Sequence, residues 1–216
     1  MTFLSFFSIT ITFILFFTWS FLLNIFSHFL IKNKWKPSFF PLFEIIMSLC
    51  FILLWFQKIY FISYFIFFSA LAITIQTDAV YMLISRYFSL YLIPLAILAC
   101  YYDYLPIPWS ESIAAATISY VLFYSINKIF YIIKRQHGLG QGDFELIAFI
   151  GSCTGFLGSW FSVLYGSMLG TISSLLYMMY TKQKVSFIPF GFFLCIGAII
   201  FVLLQTTLLA SLAIFF

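Results

Sequence analysis

Two aspartates are the candidates for chemistry in this chain. Asp143 closes the glycine-rich turn His137-Gly138-Leu139-Gly140-Gln141-Gly142-Asp143, and an apolar run begins at Phe144. Asp78 ends another apolar run, far earlier in the chain. Only six of 216 residues are acidic, so two acids at the edges of apolar runs need a reason. An ionised aspartate costs at least about 2.5–3.5 kcal/mol at the centre of a membrane helix, and less near the interface. Taken alone, Asp143 reads as a helix-start residue whose charge suits the positive end of the dipole. A pair can do more. Two carboxylates sharing a site titrate as a unit, one keeping its proton while the other stays charged. The charged member takes a proton from water and the neutral member polarises a carbonyl, which is peptide hydrolysis without a metal or cofactor. Gly138, Gly140 and Gly142 would let a substrate backbone lie against Asp143. The turn is not a P-loop, since no Gly-Lys-Ser/Thr follows it.

The elements that must position these acids are membrane helices. Apolar residues make up 64% of the chain and charged residues 7%, against about 25% charged in soluble domains; mean hydropathy is +1.14. The apolar runs have the length a helix needs to cross about 30 Å of hydrocarbon, and the strict alternation of a transmembrane barrel is absent. The reading is an all-α polytopic bundle of about eight spans, near 3–30, 39–57, 59–77, 84–101, 110–133, 144–159, 160–180 and 187–212. It forms a single membrane domain over 1–216, with helices of 1–77 leading into a core, 78–216, that holds both aspartates. The first run lacks a basic start and is too long for a signal peptide, so it is expected to be a retained helix. Cys50, Cys100, Cys153 and Cys195 stand singly inside apolar runs, as packing residues rather than metal ligands.

Basic residues set the orientation. With Lys32, Lys34 and Lys36 in the cytoplasm, counting spans puts Arg86, Lys128, Lys134, Arg135, Lys182 and Lys184 on the same side and only Lys58 opposite. Both termini then lie outside, and Asp78 and Asp143 both reach the cytoplasmic face. Asp103 and Glu111 flank the opposite loop, where Pro106 and Pro108 enforce a turn. The net charge of +4 is a topology signal and no sign of nucleic acid; anionic lipid is the expected partner of the basic face.

Gly140-Gln141-Gly142-Asp143 resembles the GxGD motif of intramembrane aspartyl proteases, and its surroundings, Gly138 to Ala148, look like the type IV prepilin leader peptidases. Ser20-Phe21-Leu22-Leu23-Asn24 resembles that family's Ser-Phe-Leu-Asn element with one extra leucine. Phe40-Pro41-Leu42-Phe43-Glu44 resembles its Tyr-Pro-Leu-Val-Glu, and Ile188-Pro189-Phe190-Gly191 matches its Ile-Pro-Phe-Gly. The resemblance implies that Asp78 and Asp143 are catalytic. It implies a multi-pass protein of the bacterial inner membrane that cuts leaders from type IV prepilins or type II secretion pseudopilins at the cytoplasmic face. Many members then methylate the new N-terminus with S-adenosylmethionine, a cofactor needed here only if that second activity is kept. Two departures stand out. The family's Leu/Ile-Pro-Asp/Asn is replaced by Ile84-Ser85-Arg86, and the loop Lys32 to Ser38 lacks the paired C-x-x-C motifs that many methylating members carry.

Glu44, about a turn into the second span, is expected either to pair with Lys36 or Arg86 or to bind substrate or methyl donor. Asn24 reads as interhelical glue, and Glu145 as a residue pointing away from Asp143, exposed or paired with a lysine. Gly151/Gly155 and Gly166/Gly170 read as close-packing pairs, and Pro189 to Gly191 as a helix start or kink. His28 and His137 have no partner at metal spacing. Three alternatives compete with prepilin cleavage. One is a GxGD protease with a preflagellin-like substrate. A transporter or channel is the second, against which the acids lie at one face and no inverted repeat is evident. The third is a non-catalytic assembly protein, against which both aspartates are retained.

Overall fold

A computed structural model describes residues 3–31, 40–55, 60–135, 138–182 and 188–213, with side chains placed over 12–26, 43–53, 60–135, 138–182 and 188–205. Lys32, Lys34, Lys36, Lys58, His137 and Lys184, and the side chain of His28, lie outside the described residues. Every element described is helical: α1 (Phe3–Ile31), α2 (Phe40–Trp55), α3 (Phe61–Tyr81), α4 (Ile93–Tyr101) after a single 3-10 turn (Leu90–Leu92), α5 (Trp109–Lys134), α6 (Gln141–Thr181) and α7 (Phe190–Ala213). By length and composition α3, α5 and α6 can cross a membrane, and shorter apolar stretches at Thr12–Phe26, Phe43–Leu53, Leu90–Tyr101 and Phe190–Gln205 accompany them. This is a membrane protein.

One expected run starts late. The helix anticipated over 84–101 begins only at Leu90, because Met82 takes the left-handed conformation (φ 53°) and ends α3. Residues 83–89 are irregular, and Pro94 then sits in the first turn of α4, where its missing N–H leaves no bond unmade.

The expected spans 144–159 and 160–180 are one continuous assignment, α6, but not one straight rod. Gly155 inside it has φ 76° and ψ −177°, a conformation open in practice only to glycine. Before Gly155 the chain runs antiparallel to α5: Phe144 packs on Tyr120 and Tyr124, and Ser112 Oγ donates to Ser152 O at 2.7 Å. After it the direction reverses, and Ser119 Oγ bonds Ser159 Oγ at 3.1 Å. The same Ser119 abuts Gly151. On a straight helix residues 151 and 159 would be about 12 Å apart; both touching one serine requires the chain to turn back at Gly155. The packing role expected of this glycine is therefore replaced by a turning role, whereas Gly151 packs on the Ala115 carbonyl, Gly166 on the backbone of Phe193 and Leu194, and Gly170 on the Phe193 ring.

Every residue from Phe67 to Asp78 in α3 is buried, and so is every residue from Asp143 to Gly155 in α6. A helix covered on all sides is a central one, so the two helices that carry the aspartates form the middle of the bundle. Around them, α1, α2 and α3 lock through rings of Phe16, Phe51 and Phe65, with centroids 5.0–6.2 Å apart. The second arm of α6 packs on α7 at backbone distance through Gly166 and Gly197. α5 turns Ile113, Ile118, Val121, Ile126 and Ile129 outward, as a lipid-facing helix does.

Candidate active site

Asp78 lies in the last turn of α3, at the negative end of that helix, and is 4% exposed. Burial there is tolerable because another helix points its positive end at the carboxylate. Pro189 precedes α7, Phe190 begins it, and the Phe192 N–H donates to Asp78 Oδ2 at 2.7 Å, with the Gly191 N–H bonded to the same carboxylate. Gly191 leaves little room for a side chain. A Cβ on it would stand 3.0 Å from Asp78 Oδ2 and 2.6 Å from Ile84 Cδ1. The Ile-Pro-Phe-Gly stretch is the helix start expected of it, and it is also the donor set for Asp78, which sequence reading missed.

Asp143 occupies the first turn of α6 and is 9% exposed. Gly140 is the N-cap, and its N–H donates to Asp143 Oδ2 at 3.0 Å while its carbonyl accepts from the Asp143 N–H at 3.2 Å. The turn before it is held from α5, where buried Asn127 accepts through Oδ1 from the N–H groups of Gly138 and Leu139 at 3.0 and 3.1 Å. Asn127 was not singled out from sequence. Its signal is weak, one amide in the long apolar helix α5. Gly138, Gly140 and Gly142 all avoid positive φ. What Gly142 permits in this state is a close approach by the chain's own Ile84, whose Cβ is 2.8 Å from where a Cβ would be.

Ile84 thus touches both sides, lying against Gly142 beside Asp143 and against Gly191 beside Asp78. The two carboxylates are within electrostatic reach of one another. The structure therefore brings the two sequence-identified aspartates to one end of the bundle, each with Oδ2 fastened by main-chain donors at a helix N-terminus. Glu44 is buried elsewhere in this arrangement and accepts from Asn24 Nδ2 of α1 at 2.9 Å, while Arg86 pairs with Glu145 and Lys36 lies outside the described residues. Asn24 does link two helices. The expectation for Glu145 is corrected: it is 1% exposed and pairs with Arg86, not a lysine, at 3.3 Å. It points away from Asp143, but the far side of this central helix is also interior. Among the described residues no three His, Cys, Asp or Glu side chains gather as a metal site would require.

The model of the type IV leader peptidase family matches residues 65–175, a stretch that begins before Asp78 and runs past Asp143. The chain belongs to that family. Among curated proteins, this family member is 30% identical over 100 residues to the type 4 prepilin-like proteins leader peptide-processing enzyme of Escherichia coli O78:H11 (strain H10407 / ETEC), covering 46% of this chain and 36% of that protein. It is 32% identical over 83 residues to the prepilin leader peptidase/N-methyltransferase of Legionella pneumophila (38% and 29%). Against the protein of the same name from Pseudomonas putida, identity is 26% over 106 residues (49% and 37%). The chain thus spans about a third of the length of the relatives it matches. No solved structure matches it.

Proposed function

We propose that this leader peptidase family member is an aspartyl endopeptidase of the bacterial inner membrane that removes leaders from type IV prepilins or type II secretion pseudopilins. The observation that carries the reading is the meeting of Asp78 and Asp143, from helices far apart in sequence, around the single side chain of Ile84. Each carboxylate has Oδ2 held by backbone N–H groups, so the second oxygen of each is the one offered to water and substrate. The ionised member removes a proton from water as it attacks, and the protonated member donates to the scissile carbonyl. Ile84 lies between Gly142 and Gly191, beside the two aspartates, and substrate entry displaces it, bringing the backbone to be cut against Gly142 and Asp143. Proteolysis by this route uses no metal or cofactor. S-adenosylmethionine enters only if the chain also methylates, with Glu44 beside Asn24 as the candidate contact.

In the bilayer we read eight spans with both termini outside, the two arms of α6 counting as two. The end of α3, the end of α5, both ends of α6 and the start of α7 then share the cytoplasmic side with Arg86, Lys134, Arg135 and Lys182. Glu111, beside Gly155, marks the other side. A transport role fits less well, since both acids cap helix ends and are fastened to backbone donors rather than lining a path at mid-depth.

Co-expression with a prepilin tests the reading directly. The wild-type chain should produce the mobility shift of leader removal, Asp78→Asn and Asp143→Asn should each abolish it, and chelators should leave it unchanged. Cleavage that survives either substitution would take that residue out of the mechanism. Transfer of label from S-adenosylmethionine to the cleaved product decides the second activity.

A further inference from the structure

The ion pair between Arg86 and Glu145 has no part in the mechanism above. Glu145 lies two residues beyond Asp143 on a helix buried all round, and its Oε2 has no hydrogen-bond partner among the described residues. Its Oε1 is 3.3 Å from Nε of Arg86, whose side chain is 56% exposed. A carboxylate so covered, with one donor and one bare oxygen, is costly to keep charged, and a leucine would be easier to bury. What the charge holds is the irregular segment after α3. Its other recorded hydrogen bonds are local: Phe88 N–H to Ser85 O, Tyr91 N–H to Arg86 O and Ser89 Oγ to Ser85 O. Two residues before Arg86, that segment carries Ile84 into the gap between Gly142 and Gly191.

We propose that Arg86 and Glu145 are positioning residues: their ion pair clamps the segment following Asp78 onto the first turns of α6, and so sets how Asp78 and Asp143 face one another across Ile84. The clamp itself follows from the contacts; its effect on turnover rests on the peptidase reading. It also gives the departure at Ser85-Arg86 a task. A chain without the turn-forming proline fastens the same loop by charge.

The test uses the full chain in lipid nanodiscs, with two readouts. Amide hydrogen exchange over 83–89 reports the clamp, and kcat and KM for a prepilin report its consequence. Arg86→Ala and Glu145→Gln should each speed exchange of 83–89 and lower kcat by roughly tenfold or more with KM little changed, the size of effect that contacting residues share. The double variant should be no worse than either single, and Arg86→Lys should recover most of the loss. Unchanged exchange in Arg86→Ala overturns the clamp, as do losses that multiply in the double variant. Faster exchange with unaltered kcat overturns the positioning role. If Glu145→Gln does not fold, Arg86→Ala and Arg86→Lys decide alone, since Arg86 is at the surface. A wild-type chain that cleaves no prepilin defeats the peptidase reading instead, and the exchange measurement still decides the clamp.

Discussion

Asp78 sits where its own helix is electrostatically hostile to it, and α7 supplies the compensation by pointing Gly191 and Phe192 N–H groups at the same carboxylate. Asp143 is fastened from its own N-cap, and the turn leading into that cap is fastened by Asn127 through Gly138 and Leu139. Acids held this way act as a unit, so the loss in Asp78→Asn, about 10²–10⁴-fold for a removed proton-transfer group, should not deepen in the double variant. Single-turnover cleavage assays check this, and a further multiplicative fall would show independent roles. Gly142→Ala is a second case. Its new Cβ would meet Ile84 Cβ at 2.8 Å, an overpacking of about 1–3 kcal/mol that must shift either the Ile84 segment or the start of α6. We expect reduced cleavage at unchanged membrane insertion, with partial recovery when Ile84→Ala is added; no recovery would mean that Ile84 is not what the new methyl meets. The two aspartates were legible in the sequence because acids are so scarce in this chain. Arg86 and Glu145 were not, because a two-residue offset from Asp143 suggests a face turned outward, and only the packing shows that this helix has no outward face.

α6 shows how far helix-level reasoning reaches. Its 41 residues are about 60 Å at 1.5 Å per residue, twice the hydrocarbon thickness and so long enough for two crossings. Where the reversal falls does not. Length places it near 159 and 160, but the break is at Gly155, whose φ of 76° no side-chain-bearing residue adopts cheaply and whose Cβ would run into the Glu111 carboxylate. Apolarity is continuous through the turn, so no hydropathy signal marks it, and a glycine four residues after another reads equally well as a packing pair. Gly155→Ala should therefore cost about 1–3 kcal/mol from the forced backbone conformation, before any clash is counted. A lowered unfolding midpoint in detergent checks this. Glu111→Ala in the same background removes the clash and should recover only part of the loss; full recovery would assign the whole cost to the carboxylate rather than to the backbone. The late start of α4 has a similar origin, since no residue near Met82 signals its left-handed turn, and Pro94 is the one mark in the apolar run of where the next helix opens.

For the whole molecule, one physical requirement ties the parts together. The carboxylates can share a water only if the C-terminal end of α3 and the N-terminal ends of α6 and α7 lie on one side of the bilayer, and the doubling back at Gly155 is what makes the third of these possible. Were α6 a straight rod, α7 would start on the far side and Phe192 could not reach Asp78. The basic residues follow the same partition. Arg135 and Lys182 form left-handed caps at the ends of α5 and α6, where cations suit the negative dipole end, and the topology reading puts both in the cytoplasm. Labelling can test this in intact cells, after Cys50, Cys100, Cys153 and Cys195, all buried, are changed to alanine. In that background a cysteine at Asp103, which is exposed in the loop before α5, should react with a membrane-impermeant maleimide added outside. Cysteines at Arg135 and Lys182 should stay unlabelled until the membrane is opened. Labelling at Lys182 from outside with none at Arg135 would mean that α6 crosses once. That result would move the start of α7 away from Asp78 and leave Asp143 without its partner's support.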